Sequence, residues 1–184
     1  MLPNRSIIQI LIIGLLINVL FTSCFKDVDF SRTDEIKLSP DLEVDLIHYQ
    51  LNRDDFIDSE TGEYTSIIRD TVRLEYLDDS YIQDGLLHAE FLFRHENTFS
   101  DSIRSNIKFL AVNNRRQFNV AYTIPAGEIG APAFVDTLHI MDESKISKVR
   151  RSFKMVVELE MLGSGTKLDG ELKFSSKGYY RFKF

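Results

Sequence analysis

The chain has 184 residues, 43% hydrophobic and 27% charged, with 22 basic and 28 acidic side chains, one cysteine and no tryptophan. This excludes collagen-like, fully disordered and disulfide-stapled chains, and a single cysteine supplies neither an intramolecular bridge nor a Cys-based zinc site. The length fits one domain with a core of its own.

In chain order, residues 1–24 come first and differ from all that follows. Arg5 is their only charge, and Ile7 to Phe21 is apolar except for Gln9, Gly14 and Asn18. A short basic start, an apolar stretch and small polar residues after it are the layout of a secretory signal peptide. The stretch is shorter than the roughly 20 apolar residues of a membrane-spanning helix.

The run ends Leu20-Phe21-Thr22-Ser23-Cys24. This resembles the lipobox of bacterial lipoproteins, with Phe21 where leucine is usual. The resemblance implies that residues 1–23 are a removable signal peptide and that Cys24 is the lipidation site, carrying three acyl chains, palmitate among them. One acyl chain binds a bilayer reversibly and several hold it stably, so the expected membrane contact is a lipid anchor. The next residues, Phe25-Lys26-Asp27-Val28-Asp29, resemble the surface-export signal of Bacteroidota lipoproteins, with Lys26, Asp27 and Asp29 as its charged positions. They read equally as a polar tether. Phe25, not aspartate, follows Cys24, so the retention pattern of enteric inner-membrane lipoproteins is not matched. The expected location is the outer membrane, on either its periplasmic or its cell-surface face.

Residues 24–40 then form the lipidated cysteine and tether, and residues 41–184 the folded domain. Charge is unevenly spread: residues 25–101 hold 7 basic and 20 acidic side chains, residues 102–144 hold 4 and 4, and residues 145–184 hold 10 and 4. Either the acidic and basic segments serve a partner, or they lie side by side in the fold and neutralise each other; the second reading is preferred. Nucleic acid is not an expected partner of an exported acidic domain.

From Leu42 onward the dominant period is two. Phe153, Met155, Val157, Leu159 and Met161 alternate with polar neighbours, as do Phe118 to Ile124, Val72 to Tyr76, Leu87 to Phe93 and Tyr180 to Phe184. Less regular strands are expected at Leu42–Leu51, Ile103–Val112, Phe134–Ile140 and Glu171–Phe174. Asn113-Asn114 and Asp169-Gly170 signal tight turns, the latter after a Gly163-Ser164-Gly165 break. Short helices fit only Asp79–Asp84 and Glu143–Arg150. The expected fold class is all-β: an antiparallel β-sandwich, immunoglobulin-like or similar, with about 8–9 short strands and one or two short helices.

Chemistry-bearing motifs are weak. His48, His88, His95 and His139 lack the i, i+2 spacing of paired ligands on a strand, and Ser164 lacks the context of a nucleophile elbow. Asp54, Asp55, Asp58 and Glu60 are the densest carboxylate group and the candidate metal ligands, calcium being the fitting ion. Their spacing misses the calcium-loop pattern, because Phe56 stands where an oxygen ligand should follow Asp54, and a polar hairpin loop is the simpler reading.

The expected function is that of a lipid-anchored, non-catalytic binding or assembly subunit at the outer membrane, with an outer-membrane protein as partner and no cofactor beyond the lipid. One alternative is a metal-dependent glycan-binding domain or hydrolase using loop 54–63. A second, suggested by the terminal aromatics Tyr180, Phe182 and Phe184, is a small outer-membrane β-barrel.

Overall fold

The computed structural model describes residues 39–163 and 169–184. Cys24, Lys26, Asp27, Asp29 and Ser164 lie outside them. Eight strands follow in order: β1 (Asp41–Asn52), β2 (Ile67–Arg73), β3 (Leu86–Asn97), β4 (Ile103–Leu110), β5 (Arg116–Ile124), β6 (Ala133–Met141), β7 (Lys154–Met161) and β8 (Glu171–Phe182). They form two four-stranded antiparallel sheets, β1-β8-β3-β6 and β2-β7-β4-β5.

The pairing is nested. First strand meets last, second meets seventh, third meets sixth and fourth meets fifth. Only the β4–β5 hairpin stays within one sheet; every other connection crosses to the opposite layer. A long antiparallel ribbon folded over in this way is a jelly roll, so the expected antiparallel sandwich takes this topology and not an immunoglobulin-like one. The barrel alternative is overturned. Two separate sheets with open edges enclose the aromatic faces that a barrel would turn toward lipid, and the inward residues of β8 are buried in the core.

Alternation sets that core. Met155, Val157, Leu159 and Met161 of β7 face Leu172, Phe174, Tyr180 and Phe182 of β8 across the interior. Phe91 is its hub, with ring centroids 4.7 Å from Phe109, 5.9 Å from Phe118 and 6.0 Å from Tyr180. Short strands Glu171–Phe174 and Tyr180–Phe184 turn out to be one continuous β8. Gly178 does not break it, because the Tyr180 ring lies over the glycine: a Cβ there would fall 2.3 Å from the Tyr180 hydroxyl. In β3 the alternation slips at a register shift between Leu86 and His88, so that Leu86 is buried and Leu87 only half-buried. The stretch Val72-Tyr76 leaves its sheet at Leu74, where a 3-10 turn over Glu75–Leu77 leads to helix Ser80–Gly85, capped by the Asp79 side chain. The second helix is Ile146–Arg150, with Ile146 and Val149 buried. The Asn113-Asn114 turn is present, Asn114 taking φ 61°.

The acidic and basic segments do lie side by side. Arg181 of β8 pairs with Asp41 of β1 at 3.1 Å, and Lys177 pairs with both Glu43 and Asp45. In the other sheet Glu158 of β7 receives Arg69 of β2 at 2.6 Å and Lys108 of β4 at 3.0 Å. Hydrogen bonding from Arg69 and then Lys108 holds the Glu158 carboxyl below its usual range against the opposing effect of burial. Such exposed pairs contribute at most about 1 kcal/mol each, so they serve register more than stability.

Asn97, fully buried at the end of β3, fastens the loops at one end of the sandwich. Its amide donates to the carbonyls of Asp101 (3.1 Å) and Pro125 (2.7 Å), and its carbonyl accepts from the Phe99 amide (3.0 Å). Asn97→Leu keeps the branched outline and leaves all three partners unsatisfied; urea unfolding is expected to show a loss of roughly 2–4 kcal/mol.

Candidate functional site

Polar and titratable side chains gather in three places, and the acidic loop is the simplest. Asn52 and Asp55 form a capping box around the 3-10 turn Arg53–Phe56: the Asn52 side chain accepts from the Asp54 amide, and Asp55 accepts from the Asn52 amide at 2.8 Å. Asp58 accepts from the amides of Glu60 and Thr61, both at 2.9 Å, which lowers its pKa. Asp54 and Glu60 are exposed. Two of the four candidate ligands thus shape backbone turns, and no group of three His, Cys, Asp or Glu among the described residues is placed to hold a metal. Melting in calcium and then in chelator is expected to give the same midpoint; a rise of several degrees with calcium would restore loop 54–63 as a cation site.

The second place is inside. His95 continues the inward series Phe91, Phe93 of β3 and is buried between Phe174, at 4.4 Å between ring centroids, and Tyr122 of β5. Its Nδ1 and the Tyr122 hydroxyl share a 3.3 Å hydrogen bond, while Nε2 has no partner among the described residues. Tyr49 of β1 lies against Phe174, its hydroxyl also unpartnered among those residues. Burial drives every member toward its neutral form: both phenols are pushed far up, and His95 is held down to about 3. Beside Tyr49 a cleft of about 250 Å³ opens between β1 and β2, lined by Leu51, Ile68, Val157 and Leu159 with Asp70 at its rim.

The third place is the outer face of sheet β1-β8-β3-β6. At one end a groove of about 420 Å³ is bordered by Asp41, Glu43, His88, Glu90, Tyr179 and Arg181, with His88 Nε2 at 2.9 Å from Glu90. A second groove of about 300 Å³ runs past His48, Arg94, Asp136 and Lys173 to Phe134. The face ends at β6, and there its character changes. Phe134 is 68% exposed, Leu138 51% and Ile140 48%, all on the outward side, while the one charge between them, Asp136, is held by Arg94 at 3.3 Å.

The four edge strands differ in how their free sides are guarded. Strand β1 carries Asp41, Glu43 and Asp45 and an irregularity after Asp45, and β2 is short and bears Arg69, Asp70 and Arg73. Strand β5 presents polar or small residues, Asn119, Ala121 and Thr123. Strand β6 is nine residues long, regular in register with β3 and without lysine, arginine or proline. Its other side pairs with no strand among the described residues. Sequence reading located this strand without finding its significance, since both of its faces are rich in apolar residues. Nor did it single out His95 as an interior residue, although the period that buries Phe91 and Phe93 carries two residues on to it.

The sequence matches no protein-family profile and no curated protein. Among solved structures, one similar chain is a protein of Parabacteroides distasonis described as secreted: 12% identity, TM-score 0.46, covering 64% of this chain and 38% of that one. Another is the infectious bursal disease virus VP2 subviral particle, at 9% identity and TM-score 0.46, covering 78% and 32%. A third is the enzymatically active domain of bacteriophage CBA120 tailspike protein 4, at 11% identity and TM-score 0.39, covering 77% and 19%. The strand order, not these distant likenesses, establishes the fold. Among the described residues no helix is long and apolar enough to cross a membrane.

The neutral interior has a pH signature. An unfolded histidine titrates near 6.5, whereas folded His95 stays neutral down to about 3, so between these values the unfolded chain binds the extra proton. Stability is full above the upper value and falls with pH below it, by up to about 1.4 kcal/mol per unit. His139, lowered by burial and then by Lys145, acts in the same direction. Thermal midpoints are expected to drop between about pH 7 and about pH 5, and His95→Phe to flatten much of that slope; an unchanged slope would assign the proton to other groups.

Proposed function

We propose that this chain is an exported, lipid-anchored protein of a bacterial envelope, serving at the outer membrane as a non-catalytic binding or assembly subunit that docks through the outer face and free edge of sheet β1-β8-β3-β6. The observation that carries the docking reading is the unguarded β6 edge with Phe134, Leu138 and Ile140 turned outward. An exposed apolar row along a strand with one free side offers backbone hydrogen bonds and side-chain burial together, which is the requirement for strand addition. Export and anchoring rest on the apolar run Ile7–Phe21 ending at the chain's single cysteine, Cys24. The resemblance of Lys26, Asp27 and Asp29 to a Bacteroidota export signal favours the outer membrane.

Cys24→Ala is expected to move the protein from the membrane pellet to the soluble fraction of fractionated cells. Retention in the pellet would remove the lipid anchor from the proposal. Purification of the unaltered protein from its native envelope in mild detergent is expected to recover a defined protein complex; recovery as a lone monomer would overturn the assembly role.

A further inference from the structure

We infer that the occupant of the β6 edge is a second copy of this chain, added antiparallel about a two-fold axis at Thr137 so that two β1-β8-β3-β6 sheets become one eight-stranded sheet. This deepens the assembly reading above and rests on it. A foreign strand would satisfy the free backbone equally, but the side-chain sequence of β6 is complementary to itself. Isologous interfaces require that property, because the same patch must fit its own copy.

Centred on Thr137, antiparallel pairing places Phe134 opposite the partner's Ile140 and Ile140 opposite the partner's Phe134. Leu138 then lies opposite the partner's Asp136, whose carboxylate stays engaged with the Arg94 of its own sheet. Phe134 and Ile140, at the two ends of the row, cover each other twice over, and no two like charges meet. Centred on Asp136, the pairing would set two aspartates face to face, which destabilises a cross-strand pair. Centred on Leu138, it would set each Phe134 against the exposed Asp142 that follows the strand. A slip by one residue would set outward positions against inward ones. Only the Thr137-centred register sets Phe134 against Ile140 while keeping like charges apart.

Leu92 of β3, half-buried beside Leu138, continues the apolar strip inward from the edge, so the contact joins a surface and is not a single line of atoms. Joint tethering in one bilayer raises the effective concentration of the two copies, so that a modest interface suffices for association there.

The test is made in the native envelope with two differently tagged full-length copies, one bearing Phe134→Cys and the other Ile140→Cys. If Cys24 carries lipid, the introduced thiols are the only free ones, and the unaltered protein serves as the control. Mild oxidation is expected to give a disulfide-linked heterodimer from the mixed pair and little product from either variant alone. Adding Leu138→Asp to both copies, which sets aspartates opposite each other, is expected to cut the yield about tenfold while leaving the thermal midpoint within a few degrees. Absence of the mixed link, or equal linking by each variant alone, overturns the second-copy assignment. If a different protein co-purifies while the mixed link is absent, the assembly role stands and the self-pairing falls; if the link forms, the partner is this chain itself.

Discussion

The pairing of β1 with β8 is the constraint on which the rest of the fold depends. It closes the nested series of strand pairs, and because β8 also pairs with β3, it joins the start of the domain to the middle of the sheet. The two strands carry opposite charge on the outer face and apolar residues on the inner one, so one register satisfies both sides. A slip by one residue would expose Phe174 and Tyr180 and bury Lys173 and Lys177, a far larger penalty than any ion pair could offset.

From that closure follows the division of the surface. Strands β8 and β3 are central and fully paired, and they contribute most of the polar ladders on the outer face. Strands β1 and β6 become its edges, one acidic and kinked, the other apolar and regular. The same topology brings β5 beneath β6 in the opposing sheet, where Phe118 stacks on His139 at 5.9 Å, so the inward side of β6 is satisfied while its outward side is not. Beneath the faces, His95, Tyr122 and Tyr49 form a polar insertion in an aromatic core. Burial keeps this insertion uncharged, at the expense of hydrogen bonds that solvent would have supplied.

Strand existence was legible because period two records which residues share a face. Strand order was not, because alternation says nothing about neighbours, and a jelly roll and an immunoglobulin-like sandwich present much the same pattern of short amphipathic strands. The register shift at Leu86–His88 was hidden for a related reason: Leu86, Leu87 and Ala89 are all compatible with an interior, and packing selects among them. The continuity of Glu171–Phe174 with Tyr180–Phe184 was hidden because the ring that covers Gly178, Tyr180, is recognised only once the strand is formed. The candidate site was less legible still. Nothing in Phe134, Leu138 and Ile140 distinguishes an outward row from an inward one while Val135 and Met141 alternate with them. The charge imbalance along the chain, by contrast, reported a true neighbour relation between β1 and β8.

Strand β8 is last among the eight in sequence and central in its sheet. Until it arrives, β1 and β3 have no common neighbour, and of this sheet only the β3–β6 pair can form. The sheet is therefore completed late, by contacts distant in sequence, a topology that folds slowly and leaves β1 unpaired in the meantime. The same topology keeps the leading strands from completing their sheet before the trailing one is available, so compaction of the whole domain waits on its last strand.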